Sequence, residues 1–200
     1  PRLSPRLRVH PWPSVASTLQ STSFASNRVM PDNQLGFFDA PAAPRYPEGF
    51  RFAEEVISRA DEEALVERVR VLPLKEFEFH GYLARRRVVY YGWQYSYASR
   101  SVGRADPIPE FLLPLRERAA AFAELPAAEL VQVLVAEYSA GTPIGWHRDK
   151  PMFGDVVGVS LLSPCTFRFR RRAAGGWERY SLTAEPRSAY LLHGPARDEW

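Results

Sequence analysis

Apolar and polar positions change their spacing several times along this chain, and each change marks an element. Glu62, Ala64, Leu65, Val69 and Leu72 follow a helical spacing, with Asp61 placed to cap the start and Pro73 to end it. Phe77 and Phe79 alternate with Glu76, Glu78 and His80, which predicts a strand, and Arg87 to Tyr91 predicts a second. Pro107, Pro109 and Pro114 lead into a helix through Leu115, Ala119 and Phe122. From there the period is mostly that of strands. Leu130–Tyr138 carries Val131, Val133 and Val135 on one face, and Val156–Leu162 is a short, mostly apolar run. Cys165, Phe167 and Phe169 alternate with Thr166, Arg168 and Arg170, so one face of that strand is apolar and the other cationic. Gly175-Gly176 signals a hairpin, and Trp177–Leu182 and Ser188–Leu192 supply two further strands. Short strands at this spacing predict a sandwich or barrel.

The first fifty residues lack such periodicity and hold eight of the 18 prolines. Residues 1–49 are expected to be a disordered or leader segment, and 50–200 a single domain. Composition supports one soluble globular unit: 200 residues, 46% hydrophobic and 24% charged. No run approaches the roughly 18 apolar residues of a membrane helix. The single cysteine, Cys165, excludes an intramolecular disulfide framework and a multi-cysteine zinc site. The net charge of +3 hints at nucleic acid until it is located. Residues 1–29 carry four arginines and no acid, while the other 171 residues hold 22 basic and 23 acidic side chains. What remains in the body is local: Arg168, Arg170, Arg171, Arg172 and Arg179 against Glu178.

Candidate chemistry concentrates in Tyr138-Ser-Ala-Gly-Thr-Pro-Ile-Gly-Trp-His147-Arg-Asp149. A valine-rich strand ends, a Gly/Pro turn follows, and His-x-Asp stands at the start of the next extended piece. Residues i and i+2 of a strand share a face, so His147 and Asp149 can converge on one metal ion. An imidazole and a carboxylate are two-thirds of the facial triad that holds non-haem Fe(II). Arg148 between them is expected to face away and form an ion pair.

In this context the chain resembles the AlkB family of iron- and 2-oxoglutarate-dependent dioxygenases from about Phe50 onward. The resemblance rests on Gly81-Tyr-Leu-Ala-Arg-Arg-Arg87, Tyr91-Gly92, Glu137-Tyr138-x-x-Gly141, His147-x-Asp149, Val159-Ser160-Leu161 and Gly194-Pro-Ala-Arg197-x-x-Trp200, in the family's order. It implies an α+β, mainly β fold, a double-stranded β-helix (jelly roll) with N-terminal helices and a nucleotide-recognition lid. It implies Fe(II), 2-oxoglutarate and dioxygen as cofactors and co-substrate, with His147 and Asp149 as catalytic iron ligands. Tyr138 would bind 2-oxoglutarate. The implied reaction is oxidative dealkylation of N-alkylated bases in DNA or RNA. The same chemistry on a protein, lipid or small molecule is the alternative, as is an inactive binding module if the family's distal histidine is absent. That histidine is expected two residues beyond Trp200, so the domain is expected to be truncated there. Ala136 stands where many relatives have an asparagine that contacts 2-oxoglutarate.

Other residues carry two readings each. Trp93 and Tyr95 fall by family position in the lid and could stack on a base, whereas Tyr91 and Tyr97 are expected in the core. Arg85, Arg168 and Arg170 could meet phosphates, and Arg87 could serve as an ion-pair partner. His193 could substitute as a metal ligand, but a packed or edge histidine is the favoured reading. Cys165 is expected in the core. The expected protein is a cytoplasmic monomer with no membrane partner.

Overall fold

The computed structural model describes residues 6–11, 46–79, 82–96 and 99–200. Its frame is a seven-stranded sheet. The strands are β1 (Arg6–Pro11), β2 (Phe50–Ala53), β3 (Lys75–Phe79), β4 (Tyr82–Tyr91), β7 (Gln132–Tyr138), β8 (Val156–Leu161) and β11 (Ala189–Leu192). Their order across the sheet is β2-β11-β8-β1-β7-β4-β3. Two hairpins stand apart from it: β5 (Trp93–Ser96) with β6 (Ser101–Arg104), and β9 (Cys165–Ala173) with β10 (Gly176–Ala184). Among the described residues, three α-helices accompany these strands: α1 (Arg59–Arg70), α2 (Leu113–Ala123) and the short α3 (Gly194–Asp198).

The alternation of β7, β8 and β11 sorts their side chains onto two faces. Val133, Val135, Val157, Val159, Leu161 and Leu191 pack under α1 and α2 against Val66, Val69, Leu115 and Ala119. On the opposite face, Val156, Tyr190 and Leu192 pack under the β9–β10 hairpin against Phe167 and Phe169. Nearby on that face, Leu134, Ala136 and Tyr138 cluster with Phe77 and Val88. All six residues of β8 are buried, so the strand is a mostly apolar run, with Ser160 its polar member, rather than an alternation. Strands stacked in two layers over a shared core are the layering expected of a jelly roll. No helix among the described residues is long and apolar enough to cross a membrane.

Three expectations are corrected. Arg6–Pro11, expected in the leader, form a strand parallel to both neighbours, Arg6 opposite Gln132 on one side and Val156 on the other. Its backbone pairs with groups that β7 and β8 would otherwise leave unpaired in the middle of the sheet. Helix α1 starts earlier than Asp61. Ser58 is the cap, its Oγ accepting from the Asp61 N–H at 3.1 Å while the Asp61 carboxylate accepts from the Ser58 N–H at 3.2 Å. This reciprocal box is the stronger arrangement, and it holds the Asp61 carboxyl below its usual range. Finally, the segment carrying His147 and Asp149 is irregular rather than a strand.

Gly158 shows how closely the layers approach. A β-carbon there would lie 2.1 Å from the Tyr190 ring on the adjacent strand. Glycine lets that ring lie flat across β8, where it joins Phe167 and Phe50.

Candidate active site

His147 and Asp149 sit in the irregular connection between β7 and β8. They converge nonetheless: His147 Nε2 lies 3.9 Å from Asp149 Oδ1. His147 Nδ1 is 2.8 Å from the Gly145 carbonyl. A carbonyl only accepts, so Nδ1 carries the proton and the Nε2 lone pair is left for a ligand. Fixing one ring nitrogen on a carbonyl to orient the other is the usual support of a metal-binding histidine. The separation is short enough for one ion to touch both atoms at ordinary metal–ligand distances of about 2.0–2.2 Å. Asp149 is nearly buried and His147 half-exposed, so the pair is open on one side. No group of three candidate ligands occurs among the described residues.

His193 does not join the pair. Its Nδ1 lies 2.8 Å from Asp155 Oδ2, linking the end of β11 to the start of β8. Arg148 turns away, as expected, but its Nη2 donates to the Glu199 backbone carbonyl instead of meeting a carboxylate.

The segment after Asp149 is held by Arg197, whose importance the motif did not reveal. Its buried guanidinium donates to the carbonyls of Asp149 at 3.2 Å, Lys150 at 2.8 Å, Phe153 at 3.4 Å and Gly154 at 3.3 Å. A planar fork with five donors matches such a curl of backbone better than any other side chain. Helix α3 thereby clamps the loop that carries Asp149.

Tyr138 ends β7 almost fully buried. Arg86, its register partner on β4, donates from Nη1 to the Tyr138 hydroxyl at 3.4 Å and lies 4.0 Å over the Phe77 ring. Arg86 Nε is buried without a partner. A guanidinium whose Nε has no partner, beside a phenol in an apolar cluster, suits a carboxylate ligand. Arg85 and Arg87 fall on the other face of β4 by alternation. Arg87 pairs with Glu137 at 2.6 Å, and Arg85 is exposed beside them.

Trp93 and Tyr95 lie on β5, tied to β7 where Gln132 Nε2 donates to the Trp93 carbonyl at 2.5 Å. The Lys150 ammonium stands 5.1 Å over the Tyr95 ring, which brings that ring beside the loop that carries Asp149. Tyr95 also lines a hollow of about 760 Å³ with Phe77, Val88 and Tyr90. Tyr91 is buried in the helix-side core, as expected. Cys165 is partly buried, and burial pushes its thiol up. Tyr97, His80 and the side chain of His10 lie outside the described residues.

Residues 53–200 match the family described as the 2OG-Fe(II) oxygenase superfamily. The chain belongs to the 2OG-Fe(II) oxygenase superfamily. Members of this oxygenase superfamily use Fe(II), 2-oxoglutarate and dioxygen. Among curated proteins, the chain is 32% identical over 142 residues to the alkylated DNA repair protein ALKBH8 homolog of Arabidopsis thaliana. That match covers 59% of this chain and 41% of the relative, so the chain spans about two-fifths of the relative's length. Among solved structures it is similar to OsALKBH1, with a TM-score of 0.52 and 18% identity, covering 77% of this chain and 83% of that one. That likeness shows the fold alone, in keeping with the jelly roll. In this oxygenase, His147 and Asp149 bring an imidazole nitrogen and a carboxylate oxygen to within 3.9 Å on one loop, and Arg86 meets the Tyr138 hydroxyl inside an apolar cluster.

Proposed function

We propose that this oxygenase removes alkyl groups oxidatively from nitrogen atoms of bases in DNA or RNA. The observation that carries the reading is the His147–Asp149 pair, with Nδ1 anchored on Gly145 and Nε2 turned to the carboxylate. The relationship to an alkylated DNA repair protein homolog supports nucleic acid as the substrate class.

His147 and Asp149 would hold Fe(II), which when bound supplies reductive activation of dioxygen at the expense of 2-oxoglutarate. Tyr138, backed by Arg86, would orient the 2-oxoglutarate carboxylate by hydrogen bonding. Tyr95 and Trp93 would cover the target base and exclude water from it. Hydroxylation of the alkyl carbon gives an N-hydroxyalkyl base. Its C–N bond breaks as the hydroxyl proton is lost and the ring nitrogen takes up the electron pair, releasing an aldehyde.

Protein containing this chain, supplied with Fe(II) and 2-oxoglutarate, should convert N-methylated oligonucleotides to the unmodified base with stoichiometric formaldehyde. Intact iron binding with no turnover of any methylated DNA or RNA would overturn the substrate assignment.

A further inference from the structure

One face of the β9–β10 hairpin carries charge that the dealkylation chemistry leaves unexplained. Arg168, Arg170 and Arg172 alternate along β9, opposite Ser181, Arg179 and Trp177 of β10. Arg170 and Arg179 are thus directly facing like charges, an arrangement that opposes strand pairing unless an anion offsets it. Glu178, the one acid of this hairpin, lies on the other face of β10 and is taken by Arg171 at 2.7 Å. Among the described residues, none of Arg168, Arg170, Arg172 and Arg179 forms an ion pair with a carboxylate.

Two exposed indoles order these cations. The Arg170 guanidinium lies 4.4 Å over the Trp146 ring and 4.5 Å over that of Trp177, and Arg172 also lies 4.5 Å over Trp177. Trp177 therefore serves as a spacer holding two guanidinium groups, while Trp146 keeps 49% of its surface open. Trp146 directly precedes His147, so this ridge begins beside the metal-binding pair.

We propose that the ridge binds the single strand flanking the target nucleotide. A neighbouring base stacks on Trp146, and Arg168, Arg170, Arg172 and Arg179 contact backbone phosphates. Arginines without a carboxylate partner, set beside a half-exposed indole, match a polyanion that also carries flat rings. The inference rests on the nucleic-acid reading above, yet it makes its own claim about binding.

Fluorescence anisotropy with an unmodified single-stranded oligonucleotide, titrated with salt, tests it. Trp146→Ala should weaken binding about 5- to 100-fold, as expected for loss of one stacked base. The double variant Arg170→Gln, Arg172→Gln should lower the slope of log affinity against log salt by about 1.4, two contacts at roughly 0.7 each. Trp146→Phe should restore most of the affinity lost in Trp146→Ala, which separates stacking from folding damage. Wild-type affinity and slope in folded variants would overturn the inference. So would equal, ridge-dependent binding of poly-glutamate, which would assign the face to an acidic protein. Turnover of methylated oligonucleotides by variants that bind like wild type would sink the ridge alone. Ridge-dependent binding without any turnover would sink the dealkylation reading and leave the ridge standing.

Discussion

Arg197 holds Asp149 through the backbone: its Nη1 donates to the Asp149 carbonyl at 3.2 Å, across 48 residues of sequence. The same guanidinium gathers the carbonyls of Lys150, Phe153 and Gly154, so one side chain shapes the loop that aims a candidate metal ligand. Arg197→Lys keeps the charge and loses the fork. Metal affinity is expected to fall about 10- to 100-fold, the usual cost of removing an outer support, with the fold retained. Calorimetric titration with Co(II) or Ni(II) checks this, and unchanged affinity would show the loop to be held by something else.

The metal pair gives a sharper prediction. His147→Ala and Asp149→Ala should each abolish measurable Fe(II) binding, while far-ultraviolet circular dichroism stays native because both residues lie outside regular structure. Retention of wild-type affinity in either variant would show that the 3.9 Å convergence is incidental.

Tyr138 and Arg86 are expected to act on the co-substrate rather than the metal. Tyr138→Phe removes a hydroxyl that accepts from Arg86 at 3.4 Å. Affinity for 2-oxoglutarate should drop about 5- to 30-fold, the loss of one charge-assisted hydrogen bond, with metal affinity little changed. Equilibrium dialysis of labelled 2-oxoglutarate distinguishes the two effects.

Gly158→Ala tests the layer packing. The added methyl would meet the Tyr190 ring at 2.1 Å, and that ring also packs against Phe50 and Phe167. Overpacking of this kind costs about 1–3 kcal/mol, which for a domain of this size lowers Tm by roughly 2–4 °C per kcal/mol. Gly158→Ala paired with Tyr190→Leu should recover part of the loss. An unshifted melting curve for the single variant would show that the ring moves freely.

Cys165 provides a pH prediction. Burial first, then the charge of Glu185, raises its thiol above the ordinary value. The folded state therefore favours the neutral thiol. Its contribution to stability is complete below the unfolded thiol's pKa and is lost as pH rises through the higher folded value. Alkylation by iodoacetamide at mildly alkaline pH should be slow in the native protein and fast in denaturant. Equal rates in both would place the thiol in water.

Much of this molecule was legible in advance because its signals are local. The helices around Val69 and Ala119, the valine-rich β7, the apolar β8 and the Gly175-Gly176 hairpin all follow from spacing, propensity and turn chemistry. The placement of Tyr91 in the core also agrees with the sequence reading. The position of the α1 cap did not, because Ser58 and Asp61 both favour a cap and only the reciprocal box decides between them. The position of β1 was illegible for a different reason. A proline-rich segment of mixed polarity shows no amphipathic period, and its place between β7 and β8 depends on edges contributed by distant residues.

The sequence alone determined the residue types at the centre of the site: a His-x-Asp pair after a Gly/Pro turn, preceded by a tyrosine at the end of an apolar strand. Short-range spacing suffices for that, since two ligands two residues apart need only a local bend to converge. Only the tertiary structure decided what holds and surrounds them. Arg197 reaches Asp149 from the far end of the domain, Arg86 meets Tyr138 by sheet register, and Arg170 stands between Trp146 and Trp177. Those relationships depend on strand order and packing between layers, which bring together residues that have no spacing in common. The opening charge of +3 is a sum over the whole chain, whereas four arginines gathered on one hairpin face give the field a partner would meet.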